Sequence, residues 1–135
     1  MPKLVVDANI MISAILGESF PRLIALFRRG VELTSPVQQF AETRSVLRHR
    51  LADLADVDAA MHNLLVLIEP IAPARFMADE DAARARLGTA GRNDWPVLAA
   101  AMTLRADIWS NDRDFFGVGV PTWSSRNIHF RPTPS

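Results

Sequence analysis

Four carboxylates in this chain stand where alternating strands and helices would expose them: Asp7, Glu42, Asp94 and Asp112. Asp7 ends the apolar run Leu4-Val5-Val6, and Asp112 follows a second apolar stretch, Ala106 to Ser110. In an open parallel sheet ligands collect beyond the carboxyl ends of the strands, so an acid at such an end is a site candidate. Two acids at two such ends share one edge of the sheet. Asp94 stands at a helix start and Glu42 on a helix face turned away from the core, so both can face the same groove. Carboxylates drawn to about 4 Å repel by ~4 kcal/mol per pair at an effective dielectric of about 20. Lys3 is the only lysine, so no lysine cluster can neutralise them. A hard divalent cation is the natural remedy. Oxygen-only ligands suit Mg2+ or Mn2+, and one or two such ions activate a water and clamp a phosphodiester for in-line displacement. The plainer reading of Asp7, a cap for the helix beginning near Ala8, stands beside this one.

The elements that must position these acids follow from spacing. Leu4, Val5 and Val6 are apolar on both faces, as in a strand at the centre of a covered parallel sheet. Ile10, Met11, Ala14 and Ile15 recur at helical spacing up to Gly17, and a second helix with Pro21 in its first turn runs to Arg28-Arg29-Gly30. Val31 to Thr34 is a strand candidate. Ser35-Pro36-Val37-Gln38 reads as a capping box for a third helix, about Pro36 to Arg50, whose buried stripe is Val37, Phe40, Leu47 and Leu51. A helix capped by Asp56 lies within Asp53 to Leu67, with Met61, Leu64, Leu65 and Ile68 buried, and Ile68 to Ile71 is a further strand. Asp79-Glu80-Asp81 heads a short helix and compensates its dipole. Gly88 to Asn93 reads as loop, and Asp94-Trp95-Pro96 opens a strong helix to Leu104. Ala106 to Ser110 is a strand, and Val118 to Trp123 and Ile128 to Phe130 are short extended segments. This alternation predicts an α/β three-layer sandwich with a mostly parallel central sheet.

The 135 residues fit a single domain, expected over 1–131 with a disordered tail at 132–135. Fifteen basic and fifteen acidic residues cancel, so no global field announces a nucleic-acid partner, and a basic surface has to be local. The absence of cysteine excludes a disulfide framework and a thiolate zinc site. No apolar run approaches the ~18 residues of a membrane span, so the expected setting is cytoplasmic, without a membrane. Arg44, Arg48, Arg92 and Arg113 lie near the acids in sequence and are candidates to line the groove, where the resemblance described below implies contact with RNA. His49, His62 and His129 lack partners at ligand spacing, and Trp95, Trp109 and Trp123 read as packing residues. The apolar helices before Gly30 offer a surface for a homodimer or another partner.

Together the motifs carry a resemblance. Val-Val-Asp7-Ala-Asn9, Glu42 ahead of Val46-Leu47, Asp94 opening an Ala-rich helix, and Ser110-Asn111-Asp112-Arg113-Asp114-Phe115 resemble PIN domains over almost the whole chain. The resemblance implies an α/β/α fold and a Mg2+- or Mn2+-dependent ribonuclease, with Asp7, Glu42, Asp94 and Asp112 as the catalytic, metal-binding quartet. It also implies supporting roles for Asn9 and Ser110, and for Asp114 as an auxiliary acid or turn residue. Small single-domain members are often VapC-like toxins of type II pairs, held by an antitoxin. Other Asp-dependent families fit poorly. A phosphatase of the haloacid dehalogenase type needs a second Asp where Asn9 stands, a receiver domain needs a late lysine, and no phosphate-binding glycine fingerprint is present. The alternative is a catalytically silent PIN-like module that binds RNA or protein.

Overall fold

The computed structural model describes residues 3–132. Five strands, β1 (Lys3–Val6), β2 (Glu32–Pro36), β3 (Ile68–Ile71), β4 (Asp107–Trp109) and β5 (Thr122–Trp123), form one sheet in the order β3-β2-β1-β4-β5. Every pairing is parallel. Six helices cover it: α1 (Ala8–Leu16), α2 (Phe20–Arg28), α3 (Val37–Arg50), α4 (Leu54–Leu67), α5 (Glu80–Leu87) and α6 (Gly91–Leu104).

The central strand shows why two helical layers are needed. Leu4, Val5 and Val6 have no exposed surface, yet a strand turns successive side chains to opposite faces. Leu4 and Val6 accordingly enter one core with Ile10, Met11, Leu23, Phe40, Leu47, Val57 and Leu64 of α1 to α4. Val5 enters the other with Ala83 and Leu87 of α5, and Val97, Leu98 and Ala101 of α6. Strand β4 repeats the division, Ile108 packing on the α5/α6 side and Trp109 on the other. Full burial of each such aliphatic side chain stabilises by ~1.5–3 kcal/mol.

The order of the strands creates the crevice. From β1 the chain moves outward to β2 and β3 with its connecting helices on one face, then returns through α5 and α6 on the other face to pair β4 with β1. Right-handed crossovers in opposite directions must use opposite faces, so the chain parts between β1 and β4 and leaves a gap beyond their carboxyl ends.

Several local readings are corrected. Strand β2 runs through Pro36, and α3 starts at Val37; Ser35 does not cap it, because its Oγ donates instead to the Val6 carbonyl at 2.6 Å. Val37 is exposed, and the buried stripe of α3 is Gln39, Phe40, Thr43 and Leu47. The cap of α4 is Asp53, whose carboxylate accepts from the Ala55 N–H, and Leu65 is exposed. Gly88 to Asn93 is not a loop: a 3-10 turn, Gly88–Ala90, leads into α6 from Gly91, so Asp94 lies inside the first turn of that helix. Pro96 is then inside α6 and costs it one i→i−4 hydrogen bond. Ile128–Phe130 is a 3-10 turn rather than a strand. Of the expected tail, Pro132 is exposed, and residues 133–135 lie outside the described residues, as do residues 1–2. Among the described residues no single helix is long and apolar enough to cross a membrane.

Candidate metal centre

Asp7 sits where β1 meets α1, and its backbone N–H donates to the Trp109 carbonyl at 3.0 Å, which ties it to the end of β4. One carboxylate oxygen accepts from the Ala8 N–H at 2.8 Å, so the capping reading holds. The other accepts from the Ser110 hydroxyl at 2.6 Å. Asp7 is only 7% exposed. Burial pushes its pKa up to about 6; the charges of Glu42 and Asp112 push the same way, against the hydrogen bonds from Ser110 and Ala8.

Ser110 is fully buried and uses its whole hydrogen-bonding capacity. It donates to Asp7 and accepts from Asn9 Nδ2 at 3.3 Å and from the Asp112 N–H at 3.0 Å. Asn9 Oδ1 also accepts from the Asn111 N–H at 3.4 Å. One hydroxyl thus fixes the spacing between the β1 acid and the β4 acid.

Asp112 caps a 3-10 turn, Arg113–Phe115, by accepting from the Asp114 N–H at 2.9 Å. Phe115, fully buried in the α5/α6 core, anchors that turn. Across the crevice stands Asp94 of α6. Carboxylate oxygens of Asp94, Asp112 and Asp114 all lie within 4.8 Å of one another. Burial first, and then the charges of Asp112, Asp7, Asp114 and Glu42, push the Asp94 pKa up to about 7. Glu42 is exposed on α3, close enough for its charge to act on both Asp7 and Asp94.

Among the described residues no ion pair neutralises this group: the pairs are Arg44–Asp58, Arg75–Glu69, Arg84–Glu80 and Arg131–Asp107. Repulsion across 4.8 Å is worth roughly 3 kcal/mol per ionised pair at an effective dielectric of about 20. A set of carboxylate oxygens at this spacing, without nitrogen or sulfur donors, fits a hard divalent cation.

Two residues gain importance over the sequence reading. Asp114 belongs to the tight cluster, whereas Asp7 and Glu42 lie outside it but close enough for their charges to act on Asp94. Gln39, which no motif singles out, is 3% exposed, and its Oε1 accepts from the same Ala8 N–H at 2.9 Å, bracing the turn after Asp7 from α3. An amide one turn before Glu42 is its only signal along the chain.

Of the candidate arginines, Arg44 and Arg48 share one face of α3. Arg44 pairs with Asp58 of α4 at 2.6 Å. Arg48 lines a shallow depression on α3 with Ala41, Arg44, Ser45 and His49. Arg113 is exposed between Asp112 and Asp114, and the side chain of Arg92 lies outside the described residues. The tryptophans pack: Trp109 is fully buried, Trp95 meets Phe76 with ring centroids 5.9 Å apart and carries Arg84 over its face, and Trp123 donates to Asp107. His49 contacts the Ser45 carbonyl on its own helix.

Residues 5–133 match the sequence model of the PIN domain family. Among solved structures, VapBC2 from Rickettsia felis, bound to a DNA fragment from their promoter, superposes with a TM-score of 0.74 at 16% identity, covering 90% of this chain and 98% of that one. FitAcB from Neisseria gonorrhoeae superposes with a TM-score of 0.61 at 19% identity, covering 89% and 96%. At these identities the likeness is one of fold. No match was found among curated proteins.

Proposed function

The chain belongs to the PIN domain family, and on that premise we propose that it is a Mg2+- or Mn2+-dependent endoribonuclease, the toxin of a type II toxin–antitoxin pair. The observation that carries this reading is the unneutralised group of acids at the gap between β1 and β4. Asp7, Glu42, Asp94 and Asp112, with Asp114, are the residues that would hold the cation. Once bound, such an ion supplies a water activated for attack on a phosphodiester and stabilises the charge that develops on phosphorus.

The chain's own contribution is preorganisation. Ser110 holds one oxygen of Asp7 and the Ala8 N–H the other, and the Asp7 N–H on Trp109 keeps the two strand ends in register. Asp112 is held by its own turn, so the acids need little rearrangement when a charge arrives. The raised pKa values, about 7 for Asp94 and about 6 for Asp7, leave the group partly protonated below neutral pH when no cation is bound, so binding a cation there releases protons.

The antitoxin and homodimer readings have one physical support. Phe27, Leu65 and Val66 are exposed around a depression of about 450 Å3 between α2, α4 and the β2/β3 edge, a surface suited to an apolar partner segment. The two structural neighbours, VapBC2 and FitAcB, favour an antitoxin as that partner. We propose a cytoplasmic setting, consistent with an RNA substrate.

Labelled RNA incubated with Mg2+ or Mn2+, with chelator, and with an Asp7→Ala variant tests the activity. Cleavage in the first reaction alone is expected. Equal products in all three would overturn it, and binding without cleavage would leave a silent module. Slowed growth on expression, relieved by a co-expressed neighbouring antitoxin gene, is the corresponding test of the toxin role.

A further inference from the structure

A cleft of about 420 Å3 opens beside α1, lined by Ser13, Glu18, Ser19, Arg22, Ser125 and Arg126. A continuous set of hydrogen bonds joins it to the acids. Asn111, the residue before Asp112, donates its side-chain amide to Ser125 Oγ at 3.2 Å, and its Oδ1 accepts from the Ser125 N–H at 2.8 Å. The Arg22 guanidinium donates to the Ser125 carbonyl. The turn that carries Ser125 and Arg126 is closed on itself, Asn127 Oδ1 accepting from the Ser124 N–H at 2.8 Å. The cleft and the acid group therefore share one hydrogen-bonded border.

Its charge is the reverse of the acid group's. Among the described residues neither Arg22 nor Arg126 has an ion-pair partner. Glu18 is the only carboxylate in the lining, which leaves the cleft net positive. Ser13 and Ser19 lie 2.8 Å apart, and their mutual bond consumes one of two hydroxyl protons, leaving the other to donate. Guanidinium groups and a free hydroxyl proton lining one cleft, in which Glu18 pairs with neither arginine, suit phosphate oxygens.

The geometry points to this cleft as a subsite for the backbone of single-stranded RNA. A strand whose scissile phosphate lies at the acids passes over Asn111 and docks a neighbouring phosphate on Arg22 and Arg126. The inference rests on the nuclease reading and deepens it. It explains how a chain of zero net charge can hold a polyanion: the positive field is confined to the flank of the site.

The test is steady-state cleavage of a labelled single-stranded RNA in Mg2+ at several salt concentrations. Arg126→Gln and the double variant Arg22→Gln/Arg126→Gln are compared with Arg28→Gln/Arg29→Gln at the far end of α2. The double variant at the cleft should raise KM by about tenfold with kcat within about twofold. The salt dependence of kcat/KM should fall by roughly 0.7 for each phosphate no longer held, with the single variant between the double variant and the unsubstituted protein. Active enzymes with equal KM and equal salt dependence would overturn the subsite and leave the nuclease standing. No cleavage by the unsubstituted protein would overturn both. Loss of binding to a glutamate-rich peptide, with KM unchanged, would reassign the cleft to an acidic protein segment and also overturn the proposal.

Discussion

The two ends of β4 carry aspartates in opposite circumstances. Asp107, at the amino end, accepts from Arg131 Nε at 3.1 Å and from Trp123 Nε1 at 2.9 Å on the same oxygen. Arg131 is 9% exposed, so the pair is largely shielded and fastens the last described residues to the sheet. Asp112, just beyond the carboxyl end, lies beside Asp94 and Asp114, and among the described residues no ion pair neutralises them. A neutralised carboxylate contributes to holding the fold together. Crowded, unneutralised carboxylates oppose it, and they persist where binding a cation offsets the cost.

Substitutions should therefore divide by end. At the carboxyl end, Asp7→Asn keeps an oxygen for Ser110 and removes the buried charge. Metal-dependent RNA cleavage is expected to fall by about 100-fold or more, close to ~2.7 kcal/mol of barrier, while the metal-free protein melts no lower than wild type. Retained activity in a folded Asp7→Asn protein would break the contrast at its centre.

Asp94→Asn sharpens the contrast, because Asp94 lies inside the first turn of α6 and is not its cap. Divalent-metal affinity, read by calorimetry, and cleavage should both fall by about tenfold or more, with an unchanged or raised Tm as repulsion is relieved. Normal metal binding would remove Asp94 from the centre.

At the amino end the signs reverse. Arg131→Ala strands Asp107 without its guanidinium and should cost roughly 1–3 kcal/mol, seen as a lower urea midpoint, while cleavage by the folded fraction is unchanged. Loss of activity without loss of stability would contradict the division.

The smallest effect is the pH dependence of the metal-free protein. Asp7 and Asp94 have folded pKa values of about 6 and about 7, above the ordinary 3.8, so the folded state binds protons more tightly than the unfolded chain. Their contribution to stability is full below pH 3.8 and is lost as pH rises through 6 and 7. The Tm in chelator should decline from pH 5 to pH 8 by more than that of an Asp7→Asn/Asp94→Asn variant, and saturating Mg2+ should flatten the decline. Parallel profiles for the two proteins would remove the acids as its cause.

Much of this arrangement is local and can be read along the chain. An apolar triplet running into an acid marks the end of a buried strand, and residues at helical spacing from Ile10 to Ile15 mark the helix after it. Parallel strands follow from their alternation with helices, and parallel strands bring the acids at their carboxyl ends to one edge. Ser35, Asp56 and the residues before Asp94 mislead for a related reason. Capping and loop signals are weak local preferences of about 1 kcal/mol, and a long-range bond such as Ser35 to the Val6 carbonyl outweighs them.

What only the tertiary structure decided are pairings between residues far apart in sequence. Gln39 reaches Ala8 and Ser110 reaches Asp7; Arg44 is drawn to Asp58, and Asp114 is brought into the cluster with Asp94. Arg22 and Arg126 meet in one cleft although most of the chain separates them. Periodicity reports which face of an element is apolar, but not where on that face a polar side chain meets its partner. That depends on how helices settle on the sheet once both cores are packed, a choice made by the summed burial of many side chains.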